Sequence, residues 1–172
     1  EITLPEGVTS IGEAAFNNCT SLVSIDVSAD NPNYTSVDGV LFNKNQTTIL
    51  GYPGGKSGAY LIPNGVLAID RIAFSNCIKL TEITLPASLT SIGDGAFDGC
   101  TTLADITLPE GVTSIGEAAF YSCTSLASVT FGEGSQLTSI GAGTFGDCTS
   151  LAEITLPEGV TSIGEAAFRD CT

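Results

Sequence analysis

The 172-residue chain contains no histidine, no methionine and no tryptophan, and it sets only five Lys and Arg against nineteen Asp and Glu. Each shortage removes a class of function. Without histidine, Ser–His and Cys–His nucleophile pairs and His-ligated zinc sites are excluded. A formal net charge of −14 argues against nucleic acid or an anionic membrane surface as the main partner, because both call for a basic patch. No apolar run approaches the length needed to span a bilayer, so direct membrane insertion is not expected. No Cys-x-x-Cys pair is present to hold a metal, and no cofactor motif is found.

What is present is repetition. Ile106-Thr-Leu-Pro-Glu-Gly-Val-Thr-Ser-Ile-Gly-Glu-Ala-Ala-Phe120 recurs letter for letter at Ile2–Phe16 and Ile154–Phe168, and a near copy fills Ile83–Phe97. Repeats of this kind mark a solenoid, in which each unit buries its neighbour's apolar face. Within one period, Ile106 and Leu108 alternate with Asp105 and Thr107, as in a half-buried strand. Pro109 cannot donate to a ladder, so the strand ends before it. Leu108-Pro-Glu-Gly111 suits a type I turn with Pro at its second place, and Val112–Ile115 is a second extended piece. Gly116 is expected at positive φ, because Asp38 and Asp70 replace it in units two and three and Asp tolerates that region. Glu117–Phe120 is too short for a stable helix and is predicted to form a single helical or 3₁₀ turn.

Counting by the closing Phe gives seven units, at Phe16, Phe42, Phe74, Phe97, Phe120, Phe145 and Phe168. They make one solenoid domain over residues 1–172, whose start in mid-repeat predicts a piece of a longer protein with its caps elsewhere. Residues 28–58 are an irregular insertion with a hairpin and a loop. Tyr34, Val37, Asp38 and Phe42 are assigned to the Val, Ile, Gly and Phe slots, with Asn45 in the Cys slot. Val40–Phe42 and Thr47–Leu50 flank a hairpin turn at Asn43–Gln46. Tyr52–Gly58 reads as a loop. Unit six carries two extra residues in the Phe131–Leu137 turn.

Residues 34–79 hold four of the five basic residues and three of the four tyrosines. Tyr and Arg are enriched where proteins meet, which makes Lys44, Tyr52 and Lys56 candidates for partner contact; packing of the tyrosines in core slots is the other reading. Beside the inward Ile83, Ile106, Val129 and Ile154 stand Glu82/Thr84, Asp105/Thr107, Ser128/Thr130 and Glu153/Thr155, facing outward along one side. They read either as a site for a basic or polyhydroxyl ligand or as the solvated face of an exposed sheet. Adjacent Glu82 and Asp105 are expected to repel across one strand spacing.

Six cysteines share one slot. Stacked strands repeat at about 4.8 Å whereas a disulfide wants Cβ atoms about 3.8 Å apart, so buried free thiols are expected. Asp30, Asn31, Asn33 and Asp38 could gather round Ca²⁺ or simply build turns. Glu110 and Glu117 recur with every copy, unlike a catalytic acid pair, which would be singular; no enzyme activity is expected.

The period Cys-x-x-Leu-x-x-Ile-x-Leu-Pro-x-x-Val-x-x-Ile-Gly-x-x-Ala-Phe resembles that of the BspA-like leucine-rich-repeat surface proteins, over the whole chain. The segment Asn31–Phe42 with its hairpin is similar to an interruption found in that family. The resemblance implies a curved, right-handed leucine-rich-repeat solenoid with its strand ladder on the concave side. It further implies secretion or display on a bacterial surface and a non-catalytic role in adhesion or protein binding. An extracellular or host protein is then the expected partner and a monomer the expected state. A passive spacer presenting another domain is the alternative.

Overall fold

The computed structural model describes residues 1–172 as a stack of seven coils built from fourteen short strands and no helix. In chain order these are β1 (Ile2–Leu4), β2 (Ile25–Val27), β3 (Tyr34–Val37), β4 (Val40–Asn43) and β5 (Thr48–Gly51). There follow β6 (Gly58–Leu61), β7 (Ala68–Ile69), β8 (Leu80–Thr84), β9 (Ser91–Ile92) and β10 (Asp105–Leu108). The last are β11 (Ser114–Ile115), β12 (Ser128–Phe131), β13 (Ser139–Ile140) and β14 (Ser162–Ile163).

Three sides of each coil stack on those of the next. One side, called here the strand face, carries the alternating Ile-x-Leu strands, paired in parallel as β1–β2, β6–β8 and β10–β12. A second carries the Ser-Ile strands, in which β5, β7, β9 and β11 form a parallel ladder and β13 pairs with β14. The third carries the closing aromatic. There the rings of Tyr52, Phe74, Phe97, Phe120, Phe145 and Phe168 stack with centroids 4.9–5.6 Å apart. Offset stacking of this kind adds to the burial of the rings themselves. One core of 34 buried residues runs from Val40 to Ala167.

The aromatic side differs from the helical or 3₁₀ turn expected at Glu117–Phe120. The residues two before and two after each array Phe hold positive φ, as at Ala118 and Ser122 or Gly95 and Gly99. Alternate amides close turns within the coil, as Tyr121 N to Ala118 O does. The others cross to the next coil, as Phe97 N to Ala119 O and Gly99 N to Tyr121 O do. A left-handed residue every fourth place breaks helical propagation, and the crossing bonds satisfy backbone groups that a lone turn would leave bare.

Two local expectations move for related reasons. Gly116 is not at positive φ; a Cβ there would run into the backbone amide of Asp94 in the preceding coil, and at Gly93 it would lie 2.6 Å from Arg71 N. The slot takes glycine so that coils can approach. The hydrogen-bonded turn after each strand starts on the proline, Pro109 O accepting from Val112 N, one residue later than the sequence suggested.

The insertion also differs from its sequence assignment. Tyr52, not Phe42, fills the aromatic slot of coil 2: its amide donates to Ala73 O at 2.7 Å, the rung that Phe74 makes with Ala96 O. Ile49, not Val37, fills the Ile slot, accepting from Asp70 N as Ile69 accepts from Gly93 N. Asp38-Gly39, at φ 50° and 74°, is the two-residue turn of a β3–β4 hairpin with Val37 opposite Val40, the pairing an Asp-Gly turn favours. The expected turn at Asn43–Gln46 joins antiparallel β4 and β5, with Asn43 Oδ1 accepting from the amides of Thr47 and Thr48. Asn45 lies exposed in that turn rather than in the thiol column.

Candidate functional site

Side chains that alternate in and out along β8, β10, β12 and the extended segment 152–156 place the candidate rows on one surface. Glu82, Thr84, Asp105, Thr107, Ser128, Thr130, Glu153 and Thr155 are all exposed, while Ile83, Ile106 and Val129 beneath them are buried. Asp105 faces Ser128 and Thr107 faces Thr130 across β10–β12, and the two threonine hydroxyls are hydrogen-bonded at 2.8 Å. Glu82 lies opposite Ala59 in the β6–β8 pair. The ladder is open between β8 and β10, the junction where Glu82 and Asp105 stand at equivalent places of consecutive coils.

An opening on this face lies between coils six and seven, a cleft of about 810 Å³ whose walls include Ser128, Thr130, Phe131, Glu153, Thr155 and Glu158. The two extra residues of coil six lie in the turn that lines it at Gly132, Gly134 and Ser135. Their turn is tied to coil five, by Gln136 N donating to Glu110 O and by Gly132, where a Cβ would lie 2.6 Å from Glu110 N. Coil six then offers coil seven no backbone hydrogen bond until Thr138 O accepts from Thr161 N.

The insertion candidates fare differently. Tyr52 is 3% exposed and belongs to the aromatic stack, so it is core and not a contact residue. Its hydroxyl and that of Tyr60 are buried without partners. Burial pushes Tyr52 up to about 12 and Tyr60 further. Lys44 Nζ donates to Asn31 O at 2.6 Å and Ala29 O at 3.2 Å, and Lys56 Nζ donates to Asp38 O at 2.8 Å. Arg71 meets Glu13 at 3.1 Å and Lys79 Nζ donates to Thr20 O at 3.4 Å. The basic cluster thus fastens the insertion to itself, coil one to coil three through Arg71 and coil two to coil four through Lys79. Asn31 is a fastener too. It is fully buried, its Nδ2 donates to Pro5 O and Val8 O, and its Oδ1 accepts from Asn33 N and Tyr34 N. Those four bonds commit the side chain to structure, which favours the turn reading of the Asp/Asn cluster.

The six cysteines are free. Cys100, Cys123 and Cys148 each donate Sγ–H to the Phe carbonyl of the preceding coil, Phe74, Phe97 and Phe120, at 3.1 Å. Burial pushes the thiols of Cys77 and Cys148 up to about 12 and raises those of Cys100 and Cys123 as well. They are packing groups held as thiols, without nucleophilic character.

A cavity of about 440 Å³ was not foreseen. It separates Phe16 of coil one from Tyr52 and Ile72, with Leu41 and Leu50 along its wall. It marks the place where the insertion interrupts the stack, since Leu4, Ile25 and Leu41 form a small core of their own.

Compared with known proteins, the BspA type leucine rich repeat region matches residues 1–55 and 59–172 in six copies. The chain belongs to the BspA-type leucine-rich-repeat family. A leucine-rich repeat protein of Eubacterium ventriosum is similar over 98% of this chain and 58% of its own, at 29% identity and a TM-score of 0.71. One from Bacteroides ovatus is 30% identical over 98% of this chain and 42% of its own, at a TM-score of 0.70. A leucine rich cell surface protein of Faecalibacterium prausnitzii is 27% identical over 95% of this chain and 47% of its own, at a TM-score of 0.64. This BspA-type chain therefore spans about half the length of the solved relatives it matches. The comparison with curated proteins gives no match.

Proposed function

We propose that this BspA-type solenoid is a non-catalytic protein-binding module of a secreted or surface-displayed bacterial protein, and that it binds through its strand face. The observation that carries the reading is the row of exposed carboxylates and hydroxyls on one face, Glu82, Thr84, Asp105, Thr107 and Thr130 on paired strands and Glu153 and Thr155 on the unpaired segment that follows, opening at that end into the cleft. Short strands anchored by a continuous core hold these groups in fixed positions, so little conformational entropy is lost on binding. The net charge of −14 favours a partner with a basic surface. Lys44 and Lys56 flank the insertion as secondary contact candidates, while Tyr52 is withdrawn. The bacterial surface protein among the solved relatives supports the location. The spacer reading draws on a different observation, the unbroken stack of rings from Tyr52 to Phe168, which would suit a stiff stalk.

A binding screen against extracellular-matrix and host-surface proteins separates the readings. The intact chain is run beside Glu82→Gln/Asp105→Asn/Glu153→Gln and beside a variant whose residues 43–58 are replaced by a short turn. Capture by the intact chain and by the turn variant, lost in the triple variant, supports the strand face. Capture lost only in the turn variant moves the site to the insertion. No capture by any of them favours the spacer.

A further inference from the structure

Between coils six and seven the strand face is unpaired, as it also is between β2 and β6 and between β8 and β10, and here the junction opens into a cleft walled by both coils. Residues 152–156 are the coil-seven counterpart of Ala104–Leu108, yet they make no backbone hydrogen bond, as donor or as acceptor, to any neighbour. The facing lip is equally free. Amides along a strand point alternately to its two sides. Gly132 N donates to Leu108 O, so the amides of Val129 and Phe131 turn away from β10 and toward the cleft. Two strand-like lips with unspent donors and acceptors therefore bound a cleft of about 810 Å³, within the range of ordinary ligand sites.

The floor and rim give the occupant its chemistry. Ile106 and Leu108 are each 1% exposed, whereas their counterparts Ile154 and Leu156 are only half-buried and line the cleft with Phe131. The floor is apolar and unfilled. The rim carries Glu153 and Glu158 with the hydroxyls of Ser128, Thr130 and Thr155, and no Lys or Arg lines the cleft. A strand shows alternate side chains to opposite faces, so a segment lying between the lips would set one row on the apolar floor and the other among the carboxylates.

Resting on the protein-binding reading above, we propose that this cleft takes an extended segment of a partner protein as an added strand, with basic residues alternating with small apolar ones. Its main chain pairs with residues 128–131 on one side and 152–156 on the other, completing the ladder between coils six and seven. Main-chain bonds supply affinity and the alternation supplies selectivity, as in other strand additions.

The test uses the intact chain and the peptide acetyl-Lys-Val-Lys-Val-Lys-Val-Lys-amide. Two further forms are N-methylated, one on its valines and one on its lysines, and a fourth carries Glu in place of Lys. Affinity is read by fluorescence anisotropy and site by amide hydrogen exchange. Insertion predicts that both N-methylated peptides bind at least ten-fold more weakly than the parent, since each loses the donors of one edge, and that the Glu peptide does not bind. It also predicts that the parent slows exchange at Val129, Phe131, Glu153 and Thr155 together. Glu153→Gln/Glu158→Gln is expected to weaken the parent several-fold without changing the protection pattern. Equal binding of all three Lys peptides with no added protection overturns insertion while leaving a charged binding face in place. Loss with only one N-methylated form, and protection of one lip, overturns insertion in favour of addition to a single edge. No binding of the parent peptide overturns the strand-insertion proposal, and the protein-binding reading is then judged by the screen alone.

Discussion

Coils five and seven carry the same fifteen residues and meet different fates. In coil five Ile106 is 1% and Ile115 6% exposed, and β10 pairs along its length with β12. In coil seven Ile163 is 55% exposed, Ile154 is half-buried, and the Ile-Thr-Leu segment forms no strand. Local propensity is identical, so the difference lies in the neighbours. A strand in this fold exists because another strand lies beside it: β10 pairs with β12 of the following coil, whereas the junction with the preceding coil is unpaired for coil five and coil seven alike. On the aromatic side the same coil seven is fully engaged, with Gly143 N donating to Glu165 O and Phe145 N to Ala167 O. The solenoid is thus held continuously along its ring stack and in separate pairs along its strand face. That division leaves the strand face unpaired between β2 and β6, between β8 and β10, and between coils six and seven.

Several substitutions sharpen the contrast. The largest effect is expected from Phe120→Ala, in the middle of the stack, at about 3–5 kcal/mol in denaturant unfolding. Phe168→Ala, with one ring neighbour and partial exposure, should cost less than half as much; equal losses would break the link between stacking and burial. Gly116→Ala comes next, at about 1–3 kcal/mol, because the new methyl overpacks against Asp94. Gly12→Ala, in the same slot of an identical sequence, should be close to neutral, since nothing lies within 4 Å of its Cβ position. Asn31→Ala should cost about 1–2 kcal/mol by orphaning the Pro5 and Val8 carbonyls and the Asn33 and Tyr34 amides. Faster amide exchange confined to coil one and the insertion would mark the loss as local.

The smallest effect per residue is expected from pH. The buried thiols and tyrosines are held protonated in the folded chain, with Cys77, Cys148 and Tyr52 raised to about 12. Their contribution is complete below the unfolded thiol value of about 8.5 and is lost as pH rises toward 12, because the unfolded chain gives up its protons first. The unfolding midpoint should therefore fall between pH 8.5 and 11. Cys77→Ala/Cys148→Ala should flatten that slope even though it lowers stability at pH 7. An unchanged slope would contradict the burial of those thiols.

Much of this was legible in the repeats. The coil, the inward Ile and Leu, the strand stop before proline and the shared thiol slot all follow from a period that leaves few ways to bury the same residues seven times. The rows on the strand face followed from simple alternation. Coil two was misassigned because spacing was matched to Phe, and Phe42 lay nearer the expected distance from Phe16 than Tyr52 did. The stack, however, asks only for a flat ring on a backbone rung, and Tyr52 lies 22 residues before Phe74, close to the array's 23. Asp38-Gly39 between two valines was the second clue, a hairpin turn read instead as a repeat slot. The conformation of the closing turn was hidden for another reason. Ala14, Ala118 and Ala166 hold positive φ, at 58°, 53° and 53°, where alanine is intrinsically disfavoured. At Ala118 the amide donates to Ala142 O of the next coil, and Ala167 O beside Ala166 accepts from Phe145 N, bonds that no single period contains.

The strand face is paired between coils five and six and unpaired between coils six and seven. Amide hydrogen exchange of the intact chain tests this at Thr130, whose amide faces coil five, and at Thr155, the equivalent place one coil on, whose amide faces coil six. Strong protection of Thr130 and near-unprotected exchange of Thr155 is the result predicted. Equal protection of both would mean that the ladder closes across coils six and seven, and the cleft would lose its free backbone.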